Sequence, residues 1–185
     1  MRRILTGQIL LILCCIFYLI WWYRGYRPGV SVNRAGGLNG ILLMITAVLG
    51  ISGLTFSLMR IEEIAEPKMN PMIIVIAGII GYFVLLLITR FGFGRIVTTE
   101  LILIVGWIML EITVINRLNA AGFLSGRGFA VMCVVIAAAF LISIVLYVAY
   151  YRMEEMKAFY AAMVPLITEA VSMAILVGSI RGTVP

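Results

Sequence analysis

At 185 residues, with 64% apolar and 12% charged side chains and a mean hydropathy of +1.17, the chain is too apolar for a water-soluble domain, which rarely exceeds about half apolar residues. Asp and His are absent and every acid is a Glu, which excludes a His-held haem, a His-ligated zinc site, a Ser-His-Asp triad and aspartate-based two-metal chemistry. The net charge of +6 suits anionic headgroups, and because the basic residues stand singly between apolar runs, nucleic acid is not expected as a partner.

Six apolar runs follow one another, each fenced by basic residues. The first, Ile4 to Tyr23, lies between Arg3 and Arg24, and the second, Ala35 to Met59, between Arg34 and Arg60. The third, Met69 to Thr89, lies between Lys68 and Arg90, and the fourth, Ile96 to Asn116, between Arg95 and Arg117. The fifth, Gly128 to Tyr151, lies between Arg127 and Arg152, and the sixth, Ala158 to Ile180, between Lys157 and Arg181. Each run has at least 20 residues, and a helix needs about 20 to cross a bilayer core of about 30 Å. Lipid offers the backbone no hydrogen bonds, so the spans must be helices. The fold class predicted is therefore all-α: a polytopic integral membrane protein with about six transmembrane helices, forming one membrane domain over residues 1–185 in a cell membrane.

Local signals refine this reading. Met1, Arg2 and Arg3 precede the first run as in a signal peptide, but Trp21, Trp22, Tyr23 and Tyr26 follow it where a small-residue cleavage site would stand, so it is read as an uncleaved first span. These aromatics, with Tyr147, Tyr150 and Tyr151 after the fifth run, form an interfacial belt; a ligand cage is the less favoured reading. Tyr26-Arg27-Pro28-Gly29 reads as a turn. Pro71 fits a first helical turn, whereas Pro165 lies well inside the sixth run. The last membrane helix is therefore expected to begin near Val164, with a short interfacial helix before it.

Shifting the chain by 92 residues brings Arg3-Ile4-Leu5-Thr6-Gly7-Gln8 onto Arg95-Ile96-Val97-Thr98-Thr99-Glu100. The same shift brings Arg60-Ile61-Glu62-Glu63 onto Arg152-Met153-Glu154-Glu155. This predicts two three-helix repeats, 1–92 and 93–185. Three spans are an odd number, so the second unit enters from the opposite face, giving a 3+3 inverted-topology repeat. The 14 basic residues then divide seven to each side, and the positive-inside rule does not orient the chain.

Glu100, Glu111 and Glu169 lie inside spans, and no Lys or Arg is placed inside one. An ionisable group in the bilayer costs at least about 3 kcal/mol on insertion scales and usually faces the protein interior or water. There it can carry a proton or bind a cation. Glu100 and Glu111 share a helix face about 16 Å apart, with Thr113 and Asn116 further along, and Gln8 occupies the place of Glu100 in the repeat. Glu169, between Thr168 and Ser172, can meet this face from the last span. Structural readings compete: Glu100 near the headgroups by Arg95, and Glu111 paired with the end residue Arg117. Glu62-Glu63 and Glu154-Glu155 read as solvated faces with local ion pairs.

Cys14, Cys15 and Cys133 sit in apolar runs and are expected as free thiols. Small-residue stripes such as Ala47, Gly50 and Gly53, or Gly78 and Gly81, read first as packing seams within the chain, and second as contacts in a homodimer or larger membrane complex. No cofactor, metal site or enzymatic activity is expected. The leading functional expectation is a secondary transporter or channel-like carrier of a small solute or ion. Glu111 and Glu169 would respond to protons or cations, and Glu100, Gln8 and Thr98 would line the path. The alternative is a substrate-binding or assembly subunit of a larger membrane complex, with no transport activity alone.

Overall fold

The structure, a computed structural model, describes residues 2–29, 37–59, 66–92, 94 and 99–181. It is all-helical over these residues: α1 (Arg2–Tyr26), α2 (Gly37–Leu58), α3 (Pro71–Leu87) prolonged by a π-helical turn (Ile88–Gly92), α4 (Thr99–Ala120), α5 (Gly126–Tyr150), α6 (Glu155–Ala161) and α7 (Val164–Arg181). Six stretches are long and apolar enough to cross a membrane, α6 and α7 together making the sixth. That is the build of a multi-pass membrane protein.

Helix ends follow local chemistry. Asn70 caps α3 by accepting the Met72 N–H at 2.9 Å, with Pro71 where its missing N–H costs nothing. Ser125 caps α5 by accepting the Gly128 N–H at 3.0 Å. At the end of α4, Gly122 adopts φ +76°, donates its N–H to the Asn119 carbonyl, and lets Phe123 donate to the Leu118 carbonyl at 2.9 Å. This is the Schellman arrangement, and Phe123 packs against the core cluster that holds Leu118. The sixth run breaks at Ala162 and Met163, so that Pro165 falls in the first turn of α7, where the sequence placed it.

Arg117 was read as a fence-post outside the fourth span, but α4 continues through it to Ala120 and buries it to 6% exposure. A basic residue alone carries no helix-stop signal; the stop comes from Gly122.

α4 is the central helix: Leu101, Ile104, Val105, Leu110, Val114, Ile115 and Leu118 are all buried. It packs against α3 and α5, while α1 packs against α2 and α7, and α7 also lies on α5. The first helix of each half thus packs on the last helix of the other half, α1 on α7 and α4 on α3. The α1–α2 seam is close because it is built on small residues. A Cβ at Gly53 would stand 2.8 Å from Leu11, and one at Gly7 would run into Ser57 and the Gly53 carbonyl. On the other flank, Gly78 of α3 admits the Met109 side chain of α4. α3 buries only Ile74 and turns Met72, Ile73, Ile76, Ile80 and Phe83 outward, a surface suited to hydrocarbon rather than water.

Candidate functional site

The buried face of α1 carries Ile4, Gln8 and Cys15, spaced at helical intervals so that all three turn inward. Gln8 meets Glu111 of α4, its Nε2 donating to Glu111 Oε1 at 3.0 Å. Both side chains are 0% exposed. A buried carboxyl tied to an uncharged amide is an uncommon arrangement, because an enclosed charge is normally paired. Gln8 Oε1 and Glu111 Oε2 have no hydrogen-bond partner among the described residues.

Glu169 of α7 is half-buried and lies within electrostatic range of Glu111, and Cys15 within range of both. Its neighbour Ser172 is buried and turns its hydroxyl back to the Glu169 carbonyl at 2.8 Å. Ile4 and Ile180 belong to one core cluster, while Trp22 at the far end of α1 stacks on Phe159 of α6, so α1 and α7 run antiparallel. By helix rise, Gln8 lies about 9 Å and Cys15 about 20 Å from the start of α1. Glu111 lies about 14 Å from the end of α4, and Glu169 about 18 Å from the end of α7. The polar groups therefore descend in steps from one end of the bundle towards its middle.

Of the five residues nominated from the sequence, the structure brings Gln8 and Glu111 into contact and sets Glu169 near them. Thr98 and the side chain of Glu100 lie outside the described residues. Gln8 was nominated as the repeat counterpart of Glu100; its partner is Glu111. The Glu111–Arg117 pairing considered from the sequence gives way to the Gln8 bond.

Other polar residues have structural work. Asn116 clamps the chain entering α3, donating to the Met69 carbonyl at 2.9 Å and accepting the Met69 N–H at 3.2 Å. Thr113 bonds the Met109 carbonyl of its own helix at 2.6 Å. Glu154 pairs with Lys157 at 3.0 Å on an exposed surface, as its solvated reading anticipated, whereas Glu62 and Glu63 lie outside the described residues. The aromatics at the end of α1 hold α6: Trp22 donates to the Phe159 carbonyl at 3.4 Å, and Tyr23 packs on the same ring. The three cysteines are free thiols, with Cys14 donating to the Thr46 carbonyl at 3.3 Å.

Several buried polar residues escaped sequence reasoning, Ser57, Asn39 and Arg117 among them. Ser57 is fully enclosed against Gly7, Asn39 accepts from Arg24 at 3.4 Å, and Arg117 is buried in α4. Their burial depends on which helices pack together, which no local pattern encodes. Among the described residues, no group of three or more His, Cys, Asp or Glu gathers to hold a metal ion. Comparison with protein-family models, with curated proteins and with solved structures finds no match.

Proposed function

We propose that the chain crosses a cell membrane six times and works as a small secondary transporter or channel-like carrier of a small solute or ion, with Glu111 and Glu169 as its proton- or cation-responsive groups. The observation that carries this reading is the pair of carboxyls on α4 and α7, Glu111 fully enclosed and bonded to the neutral Gln8, Glu169 within its electrostatic range. An ionisable group kept at such depth is expensive in hydrocarbon and marks ion or proton pathways in membrane proteins.

The exchange of helices between the halves, α1 on α7 and α4 on α3, supports the two-unit reading over 1–92 and 93–185. In an inverted repeat the working site lies at the interface of the two units. Gln8 belongs to the first half, and Glu111 and Glu169 to the second. Rocking one half on the other would remake the contacts among them and expose the carboxyls to each side in turn.

The test is flux. In vesicles carrying the purified chain, an imposed pH gradient should collapse faster than in empty vesicles. Glu111→Gln and Glu169→Gln should each cut that rate at least tenfold while the protein still folds. Rates equal to wild type in both variants would sink the assignment.

A second reading, a substrate-binding or assembly subunit that moves nothing alone, draws on α3. With Ile74 its one buried residue and a broad apolar face turned outward, α3 has room for a partner helix. That reading predicts co-purification with a fixed partner and tolerance of both Glu→Gln changes. Neither reading makes the chain an enzyme.

A further inference from the structure

The Gln8–Glu111 contact lacks one hydrogen. The Gln8 amide gives an N–H to Glu111 Oε1 at 3.0 Å, while Gln8 Oε1 and Glu111 Oε2 are enclosed with no partner among the described residues. A primary amide and a carboxylic acid pair through two bonds, amide N–H to acid carbonyl and acid O–H to amide carbonyl; a carboxylate makes only the first. One hydrogen on the carboxyl, placed between the two stranded oxygens, would satisfy both at once, and leaving a buried acceptor unsatisfied is costly. Turning the amide over would set its oxygen against the carboxyl instead, an arrangement that again needs a hydrogen between them.

From this geometry we infer that Glu111 and Gln8 form a proton-binding site rather than a metal-cation site, with the proton on Glu111 Oε2 donated to Gln8 Oε1. On the carrier reading above, on which this step rests, the coupling ion is then H⁺. A hard metal cation collects a shell of oxygen ligands, and here an N–H already occupies one carboxyl oxygen and would face any such ion. The titratable groups within electrostatic range of Glu111 are Glu169 from α7 and Cys15 from α1; Cys133 of α5 packs against the same core cluster, and Arg117 lies nearly two turns further along α4 itself. None of them donates to either stranded oxygen.

Protonation forms an O–H bond on Oε2 and closes the second hydrogen bond. Release of the proton to water on the side to which the site opens breaks the O–H bond and the second hydrogen bond, keeps the N–H bond to Oε1, and leaves an anion opposite the amide carbonyl, which pushes α1 and α4 apart at this point.

Infrared difference spectroscopy of the full chain in lipid vesicles, with and without sodium, tests this. Wild type near neutral pH should show the carbonyl band of a neutral carboxylic acid. In a Glu169→Gln background the band should remain, adding Glu111→Gln should abolish it, adding Gln8→Leu should shift it, and sodium should leave it unchanged. A Glu169→Gln protein without the band, a band that survives Glu111→Gln in that background, or a band removed by sodium would each overturn the inference. The spectrum is read without flux, so a chain that shows the band yet collapses no pH gradient keeps the proton site and loses only the carrier role.

Discussion

Gln8 and Glu111, 103 residues apart in the chain, join α1 to α4 by a 3.0 Å hydrogen bond between two fully enclosed side chains. Removing one partner leaves the other buried and unpaired, whereas removing both leaves only an apolar contact. Gln8→Leu is therefore expected to lower stability by about 1–3 kcal/mol. Glu111→Leu alone should be similarly costly, and the double variant Gln8→Leu/Glu111→Leu should cost less than the sum. Thermal unfolding in detergent micelles measures all three; strict additivity would mean that the bond contributes nothing.

Glycine at the α1–α2 seam is required by space rather than by backbone conformation. Gly53→Ala would press a methyl against Leu11, and Gly7→Ala one against Ser57, whereas Gly81 and Gly106 have open space around them. The first two substitutions should cost about 1–3 kcal/mol by overpacking. Gly81→Ala and Gly106→Ala should be neutral or slightly stabilising, because alanine favours a helix. The same unfolding assay separates the two pairs.

Asn116 fixes the entry to α3 through two backbone bonds to Met69. Asn116→Leu leaves both Met69 groups without that partner and should cost about 1–3 kcal/mol. It should also loosen the chain before Pro71 while leaving the Gln8–Glu111 contact alone. Hydrogen exchange should show faster exchange at Met69 and Met72, with α1 unchanged; equal protection in wild type and variant would rule the clamp out.

Much of this architecture was legible in the sequence because bilayer thickness and backbone hydrogen bonding leave few choices. Apolar runs between basic residues located six helices, and Pro165 located the break before α7. The same logic singled out Glu111 and Glu169, since a carboxyl in an apolar run is conspicuous. What the sequence could not show was pairing. Gln8 entered through a repeat match to Glu100, yet its contact is Glu111, because that depends on how α1 and α4 face each other across 103 residues. Arg117 misled for a related reason: a charge at the edge of an apolar run looks exposed until the neighbouring helices are known to cover it. Asn116, which the sequence shows only as a polar residue further along the Glu111 helix, holds backbone, a role created by the segment that folds back onto it.

Site and function both depend on six membrane crossings. Single cysteines at Glu66→Cys, between the second and third spans, and at Glu155→Cys, at the start of the sixth, test this most directly. They are introduced in a background lacking Cys14, Cys15 and Cys133, and labelled in sealed vesicles with an impermeant thiol reagent from each side. The account predicts that the two positions label from opposite faces. Labelling of both from the same face would contradict the six-span arrangement, and with it the placing of Glu111 and Glu169 within the membrane between two inverted halves.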